Sequence, residues 1–179
     1  MVLLVRLLLT LVISSLKRRI DPFGTSSIRF RVWPNDLDLN MHMNSGRYVS
    51  FMDLGRVELM VRAGLLRTIL RRGWRPIAGA TTIRYRRSLM PFERFTLKTR
   101  VLTWDEKWFY FEHVIENNRG ELAAIANVRA LLRGRDGNVH PREFIALTRQ
   151  PDLVAPPMPE LIAAFFIPSD LHRPHDARP

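Results

Sequence analysis

The order of the predicted elements places this chain of 179 residues in the α+β class, with an antiparallel sheet packed on one long helix. Three observations predict this class: a strand pattern at 28–33, a helical pattern from Asn44 to about Arg62, and at least four alternating strand patterns after Gly73. Short turn-forming stretches separate the later strands, so these strands are expected to follow one another as hairpins. The long helix then remains to cover one face of the sheet.

The first 20 residues form a hydrophobic segment that is predicted to be helical and amphipathic. Its polar residues recur at gaps of 4, 4 and 3 and share one helical face: Arg6, Thr10, Ser14 and Lys17. The apolar run, at about 15 residues, is shorter than the roughly 20 needed to span a bilayer. This pattern, followed by basic residues at 17–19, is typical of a helix on the inner, anionic face of a membrane. Docking on the protein's own surface or on a partner subunit is an alternative, as are a signal peptide and a true span.

The central elements follow a short linker at 21–26. Residues 28–33 alternate apolar and basic side chains, and Pro34 ends this strand. Asn44 or Ser45 is suited to cap the helix that follows, and Gly55 within it indicates close packing against the sheet. Gaps of 4, 3, 4 and 4 predict the buried stripe of this helix: Tyr48, Met52, Gly55, Leu59 and Ala63.

Four runs with strand character follow the helix, at 81–89, 95–101, 108–115 and 122–132. They complete a predicted domain over 26–150. Residues 151–179 are rich in proline and predict a tail that is partly disordered, with one short apolar piece at 161–167.

The net charge is +11, from 28 Lys and Arg against 17 Asp and Glu. Nucleic acid, an anionic membrane or a phosphate-bearing small molecule could each attract such a charge. The basic residues are nearly all arginine and are spread over most segments without a recognised binding motif, so no nucleic-acid partner is expected. The absence of cysteine excludes a thiolate nucleophile and Cys-ligated metal sites, and it fits a reducing, cytoplasmic setting.

The segment at 33–48, between the first strand and the long helix, is dense in groups that can donate, accept or titrate. Asp38, Asn40 and His42 alternate with apolar residues, so in an extended segment all three would point to one side. The first turn of the helix then offers unpaired N–H groups to a developing oxyanion. A carboxylate, an amide and an imidazole there would supply a base or nucleophile, a positioning group and a proton-transfer group. Turn and cap chemistry without catalysis is the alternative.

Residues 36–44, Asp-Leu-Asp-Leu-Asn-Met-His-Met-Asn, with Tyr48 behind them, resemble the signature of the hotdog-fold thioesterase superfamily. The resemblance is to the 4-hydroxybenzoyl-CoA thioesterase branch and to plant acyl-ACP thioesterases, which read D-x-D-x-N-x-H-V-N-N at this point. It covers about residues 27–149 and implies a hotdog fold, in which an antiparallel sheet wraps around one central helix. It further implies a homodimer or higher oligomer with sites at the subunit interface, and hydrolysis of acyl-CoA or acyl-ACP in fatty acid metabolism without a cofactor or metal.

The resemblance also assigns roles residue by residue. Asp38 matches the carboxylate that acts as nucleophile or general base in the 4-hydroxybenzoyl-CoA branch. Asn40 and His42 match the polar pair that joins this Asp in the acyl-ACP enzymes. Asn44 and the N–H groups after it would lie where the thioester carbonyl is polarised.

Three positions depart from these families. Met41 stands where the CoA branch usually has Gly, and Ser45 replaces the second Asn of the usual pair. Ser88 follows Tyr-Arg-Arg where the acyl-ACP enzymes carry a Glu. If that Glu is needed to activate water, catalysis must rest on Asp38 and His42.

Several arginines are candidates for binding the phosphates of CoA. We expect Arg86 and Arg87 to do so, with Arg84 and the pair at 71–72 as further candidates. A solvated, charged face is the alternative for all of them.

Other titratable residues compete with the motif or stand apart from it. Asp53 and Glu58 lie on the long helix, and Asp53 is expected to form a surface pair with Arg56 three residues on. His113 is expected to be a packed histidine within a strand. No metal site is expected at the two remaining candidates, His172 and His175, because no carboxylate or cysteine joins them.

Thioester hydrolysis is therefore the predicted function, and two alternatives belong to other classes. A hotdog hydratase would resemble D-x-N-P-x-H, but this chain lacks the Pro, and His42 lies only four residues after Asp38. A non-catalytic hotdog that binds acyl groups or lipid at a membrane would account for Ser88 and for the hydrophobic N-terminal segment.

Overall fold

A computed structural model describes residues 2–166, and within that range the elements follow the predicted order of strand, long helix and strands. The helices are α1 (Val2–Leu16), α2 (Ser45–Arg62), α3 (Leu66–Arg71), α4 (Pro141–Ile145) and α5 (Glu160–Phe166). The strands are β1 (Ser26–Arg31), β2 (Arg75–Tyr85), β3 (Arg94–Trp104), β4 (Phe109–Asn117), β5 (Leu122–Arg133) and β6 (Asn138–Val139).

The strands form one antiparallel sheet with the order β1-β3-β4-β5-β2, and short β6 pairs with β5. β3, β4 and β5 are joined as hairpins, as the turn signals predict. β2 does not pair with β3, its neighbour in sequence, but lies beside β5 at the edge of the sheet opposite β1. The predicted α+β class and the antiparallel sheet are confirmed.

Helix α2 packs on the sheet through the predicted stripe and forms the centre of the main core. Tyr48, Met52 and Leu59 are buried, and Phe51 joins them against Phe95 of β3 at 4.9 Å between ring centroids. Gly55 allows the closest approach, because a Cβ there would lie 2.5 Å from Thr99 Oγ1 and 2.7 Å from Leu97 Cδ2. The helix begins as predicted, with the Asn44 side chain accepting a hydrogen bond from the Gly46 N–H at 2.9 Å.

Helix α1 docks on the domain through its polar face, which is the alternative that the sequence left open. Arg6 donates two hydrogen bonds to the Asp36 carboxylate, at 2.7 and 2.6 Å, and its guanidinium lies 4.7 Å from the Phe51 ring centroid. Thr10 and Ser14 are buried. The helix is 15 residues long, and no helix in the described range 2–166 is both long and apolar enough to cross a membrane.

Part of the predicted C-terminal tail is packed structure. α5 buries Ile162 and Phe166 in one cluster with Tyr110 of β4, and the Thr103 hydroxyl donates to the Pro156 carbonyl at 2.6 Å. Ile162 and Phe166 therefore cover the sheet, whereas Leu161 and Phe165 of the same helix stay exposed. Residues 167–179, with His172 and His175, lie outside the described residues.

Candidate active site

The motif loop (residues 37–43) is a tight turn, and not the extended segment that the alternation of polar residues predicted. Leu37 and Met43 pair as an isolated antiparallel bridge. The Asp38 N–H donates to the His42 carbonyl at 2.9 Å, and the Met41 N–H donates to the Asp38 carbonyl at 3.1 Å. Met41 has φ +60°, a left-handed conformation that glycine adopts without strain. The Gly usual at this position in the 4-hydroxybenzoyl-CoA branch would suit the same turn.

Asp38 organises this turn with one carboxylate oxygen. Its Oδ1 accepts hydrogen bonds from the N–H of Asn40 at 2.9 Å and of His42 at 3.4 Å. Within the described part of the chain, no hydrogen bond uses Oδ2. The half-buried carboxylate is thus oriented by its own loop through Oδ1 alone.

A cavity of about 250 Å³ lies beside the motif loop at the start of α2. It brings together four of the six predicted site residues, Asp38, His42, Arg86 and Arg87, because the end of β2 lies next to the start of α2. Its full lining is Asp38, His42, Met43, Ser45, Tyr48, Tyr85, Arg86, Arg87 and Ser88.

The two predicted asparagines do not line this cavity. Asn40 is exposed at the tip of the turn, so the prediction that it points to the same side as Asp38 and His42 is wrong. The physical reason is the turn itself, which reverses the chain between residues 38 and 42. Asn44 uses its side-chain oxygen to cap α2. Ser45, the first residue of α2, lines the cavity, and its N–H donates no hydrogen bond within residues 2–166.

Two tyrosines form the floor of the cavity between α2 and β2. The rings of Tyr48 and Tyr85 meet edge to face, with centroids 5.0 Å apart, and the Tyr85 hydroxyl donates to the Ser45 carbonyl at 3.2 Å. Burial raises the pKa of Tyr48 to about 12, so its hydroxyl stays protonated at neutral pH. The sequence pattern named Tyr48 but gave no reason to place Tyr85 beside it, because that contact joins residues 37 positions apart.

Asp36, the first carboxylate of the motif, has a structural role that sequence reasoning missed. It is fully buried, its Oδ2 accepts the Trp33 N–H at 2.9 Å, and both its oxygens bind Arg6. Arg47 Nε lies 3.6 Å from Oδ1. The Asp36 carbonyl also accepts the Asn44 N–H at 2.8 Å, so this residue joins α1, the motif loop and the start of α2. The clue in the sequence was Arg6, the one basic residue inside the apolar segment 1–16.

The carboxylates of α2 lie away from the motif loop. Asp53 pairs with Arg56 as predicted, but this pair is more than a surface contact because Arg56 is buried. Arg56 Nη1 lies 3.1 Å from His113 Nε2, and His113 Nδ1 lies 3.0 Å from Thr99 Oγ1. Since a guanidinium only donates, Nε2 accepts, and the ring proton on Nδ1 is donated to Thr99.

The buried position of His113 confirms the prediction of a packed histidine. Burial and the Arg56 guanidinium hold the pKa of His113 well below its ordinary value of 6.5. Burial also lowers the pKa of Arg56. Glu58 is buried as well and lies 3.3 Å from both Lys17 Nζ and Arg62 Nη1.

His113 gives stability a pH dependence of definite sign. Between its lowered folded pKa and about 6.5, the unfolded chain binds a proton that the folded chain does not. The free energy of unfolding should therefore fall as the pH drops below about 6.5, by at most about 1.4 kcal/mol per pH unit from this residue. Urea unfolding of the wild type and of His113→Gln between about pH 5 and 7.5 measures this slope. A smaller slope is expected in the variant, and equal slopes would contradict the assignment.

A second cavity, of about 410 Å³, lies against the C-terminal half of α2 and shares no lining residue with the first. Its walls are almost entirely apolar and include Leu59, Met60, Phe109 and Leu131, with Asp53 and Arg56 as its charged residues. No group of three His, Cys, Asp or Glu that could hold a metal ion is present among residues 2–166.

The sheet, the central helix and the motif loop at its N-terminus define a hotdog-type protein. A family model described as "Thioesterase-like superfamily" matches residues 32–166, and the chain belongs to that superfamily. The predicted family is therefore confirmed. The match runs beyond residue 150 and includes α5, the packed helix of the predicted tail.

Individual relatives agree with this assignment. The chain is 36% identical over 121 residues to "Protein THEM6" of Danio rerio, covering 66% of this chain and 60% of that protein. It is 30% identical over 89 residues to "Thioesterase poxG" of Penicillium oxalicum, and this match covers 42% of this chain and 29% of that protein. A solved mutant of 4-hydroxybenzoyl CoA thioesterase complexed with 4-hydroxybenzoyl CoA has the same fold, with a TM-score of 0.63 at 17% identity over 69% of this chain and 98% of that one. The chain spans no more than about three fifths of the two curated relatives.

Proposed function

We propose that this protein hydrolyses acyl thioesters at the cavity beside the motif loop. The observation that carries the proposal is the convergence of Asp38, His42, Arg86 and Arg87 on one cavity at the N-terminus of α2. The superfamily supports the reaction class, and the cavity supplies groups for each step of it.

The groups proposed to react line one cavity at the start of α2. The carbonyl of the thioester would accept a hydrogen bond from the Ser45 N–H at the positive end of α2, because the N–H groups of Gly46 and Arg47 are already bonded to Asn44. Asp38 would then attack the carbonyl carbon, forming an anhydride that water hydrolyses in a second step, or it would take a proton from a water that attacks the carbonyl directly. His42, which lines the same cavity, would transfer a proton to the departing thiolate. The products are a carboxylic acid and a free thiol.

The charges of the cavity favour a substrate that carries phosphate. Arg86 and Arg87 line it and are exposed, and among the ion pairs of residues 2–166 Arg87 lies 3.5 Å from Glu121 whereas Arg86 forms none. A guanidinium binds phosphate through two parallel hydrogen bonds, so both residues are suited to the phosphates of CoA or of a phosphopantetheine-bearing carrier protein. Arg84 and Arg72 do not line this cavity and pack on Phe165 and Trp74 instead.

Dimerisation through β2 is part of this proposal. β2 lies at the edge of the sheet, and most of its residues are exposed, including Ile77 and Tyr85. An exposed edge of 11 residues offers unpaired N–H and C=O groups to a second copy of the same strand. Because Tyr85 at the end of this edge also lines the cavity, a partner paired there would lie next to the site.

Acyl binding without turnover is the second candidate. Ser88 lines the cavity where a Glu would activate water in the acyl-ACP enzymes that the motif resembles, and a serine cannot act as that base. Under this candidate Asp38 only builds the turn.

An acyl-CoA series of increasing chain length, incubated with the purified full chain and a thiol reagent, tests the proposal. Release of free CoA above the rate with heat-inactivated protein supports hydrolysis. Binding of acyl-CoA by calorimetry without release of CoA would support the binding protein instead. Hydration of an enoyl-CoA without thiol release would indicate a hydratase and would also contradict the proposal.

A further inference from the structure

Helix α1 is docked with its polar face inward and its aliphatic face outward. The inward side carries Arg6, Thr10 and Ser14, which are buried or ion-paired against α2 and the 3-10 turn at 34–36. Eight large aliphatic side chains of the same helix are exposed: Leu3, Leu4, Val5, Leu8, Leu9, Val12, Ile13 and Leu16. Seven of them form two adjacent rows, 4-8-12-16 and 5-9-13, which lie side by side at 3.6 residues per turn. A contiguous apolar surface of this kind is rare on a protein that meets only water.

The outward face of α1 carries one polar side chain, Ser15, which is hydrogen-bonded within the helix. The Ser15 hydroxyl donates to the Val12 carbonyl at 2.8 Å. The backbone of a helix is likewise hydrogen-bonded within the helix, so this face can enter a medium without water. The core of a protein–protein interface is typically enriched in Tyr, Trp, Met and Arg, and none of these is among the eight exposed side chains.

The charged residues within α1 and directly after it are all basic. No acidic residue precedes Asp21, whereas Arg18 and Arg19 directly follow the helix and are exposed. Such basic residues at the end of an apolar helix face are attracted to anionic lipid headgroups. The chain's own residues 167–179 are a poor alternative cover, because only Ile167, Leu171 and Ala177 among them are aliphatic.

Because the polar face of α1 contacts the domain and its aliphatic face is exposed, we propose that α1 lies in the surface of an anionic membrane. Its polar face holds it to the domain, and its aliphatic face inserts into the lipid. The helix is too short to cross the bilayer, so it binds in the plane of the interface. The Arg6–Asp36 pair then ties the membrane-bound helix to the motif loop. The proposal does not depend on thioester hydrolysis, since lipid binding is measured without substrate.

Flotation of the purified full chain with vesicles tests the proposal, using phosphatidylcholine alone and phosphatidylcholine mixed with phosphatidylserine. The wild type should float with the mixed vesicles and less with the neutral ones. The variant Leu4→Gln/Leu8→Gln/Val12→Gln changes side chains that are 60%, 55% and 57% exposed, and glutamine preserves helix propensity. It should lose binding by roughly tenfold or more. Arg18→Gln/Arg19→Gln should remove the preference for the mixed vesicles.

A matched control changes three exposed aliphatic residues elsewhere, Leu70→Gln/Leu122→Gln/Val154→Gln, and should bind vesicles as the wild type does. Thermal melting of each variant shows whether the fold is retained. The proposal would be overturned by a folded wild type that floats with neither vesicle, or by equal binding of the α1 variant. It would also be overturned if the α1 variant eluted as a smaller oligomer than the wild type, because a second copy of the chain would then cover this face.

Discussion

Asp38→Asn is expected to lower the rate of acyl-CoA hydrolysis by about 10²–10⁴-fold, the usual contribution of a general base. Asparagine keeps an Oδ1 that can accept the N–H groups of Asn40 and His42, so the turn of the motif loop should persist. The variant loses only the negative charge and the basicity of the carboxylate. Steady-state kinetics on the acyl-CoA that the wild type turns over fastest would show the loss in kcat, with little change in KM.

Asp53→Asn is the matched control, because it also neutralises an aspartate beside a cavity but lies on α2, away from the motif loop. Its turnover should stay within a few-fold of the wild type. Asp38→Asn should melt near the wild-type temperature, whereas Asp53→Asn should melt lower because it leaves the buried Arg56 without its carboxylate partner. If Asp38→Asn kept full activity while Asp53→Asn lost it, the helix carboxylate would be the catalytic group and the assignment of Asp38 would be wrong.

Most of the fold could be predicted from the sequence because its elements carry strong local patterns. The helical stripe from Tyr48 to Leu59 and the alternation along β5 are each set by burial of one face. The start of α2 followed from the choice of Asn44 or Ser45 as its cap, and the structure shows that Asn44 is the capping residue. The placement of β2 at the far edge of the sheet was not predictable in this way, because its pairing with β5 depends on contacts between residues about 40 to 60 positions apart.

The candidate site was predicted in part, and the errors share a physical cause. The motif identified Asp38 and His42, and the arginines after Tyr85 proved to lie beside them. Side chains at alternate positions point to the same side only when the backbone is extended. This segment is a turn instead, and the Asp38 carboxylate stabilises it by accepting the N–H groups of Asn40 and His42. The turn that Asp38 stabilises therefore places Asn40 away from the cavity that Asp38 lines.

The structure divides the arginines that contribute to the net charge into two groups. Arg6 and Arg56 are used inside the fold, against Asp36 and against Asp53 and His113. Arg86 and Arg87 remain exposed at the motif cavity, which suits a phosphate-bearing substrate. The net charge of +11 therefore includes arginines that form ion pairs inside the fold and arginines that are exposed and can bind a ligand.

Arg6→Met is expected to destabilise the protein by about 3–5 kcal/mol, because it leaves the Asp36 carboxylate buried without its bidentate partner. Asp36 is fully buried, and the Arg6 side chain is only 12% exposed, so water cannot replace the lost contact without opening the structure. For a chain of this size, the melting temperature should fall by about 6–20 °C. Circular dichroism during heating measures the change. Hydrolysis should fall as well, since Asp36 connects α1 to the motif loop.

Two further variants separate the buried charge from the loss of packing. Arg29→Met removes an exposed arginine of β1 and should change the melting temperature by no more than about 2 °C. Arg6→Met/Asp36→Asn should be more stable than Arg6→Met alone, because the amide is neutral and the unpaired charge is gone. The single variant Asp36→Asn completes the comparison. If adding Asp36→Asn to Arg6→Met lowered the stability as much as Asp36→Asn does in the wild type, the two residues would be energetically independent. The ion pair would then not be what holds α1 to the domain.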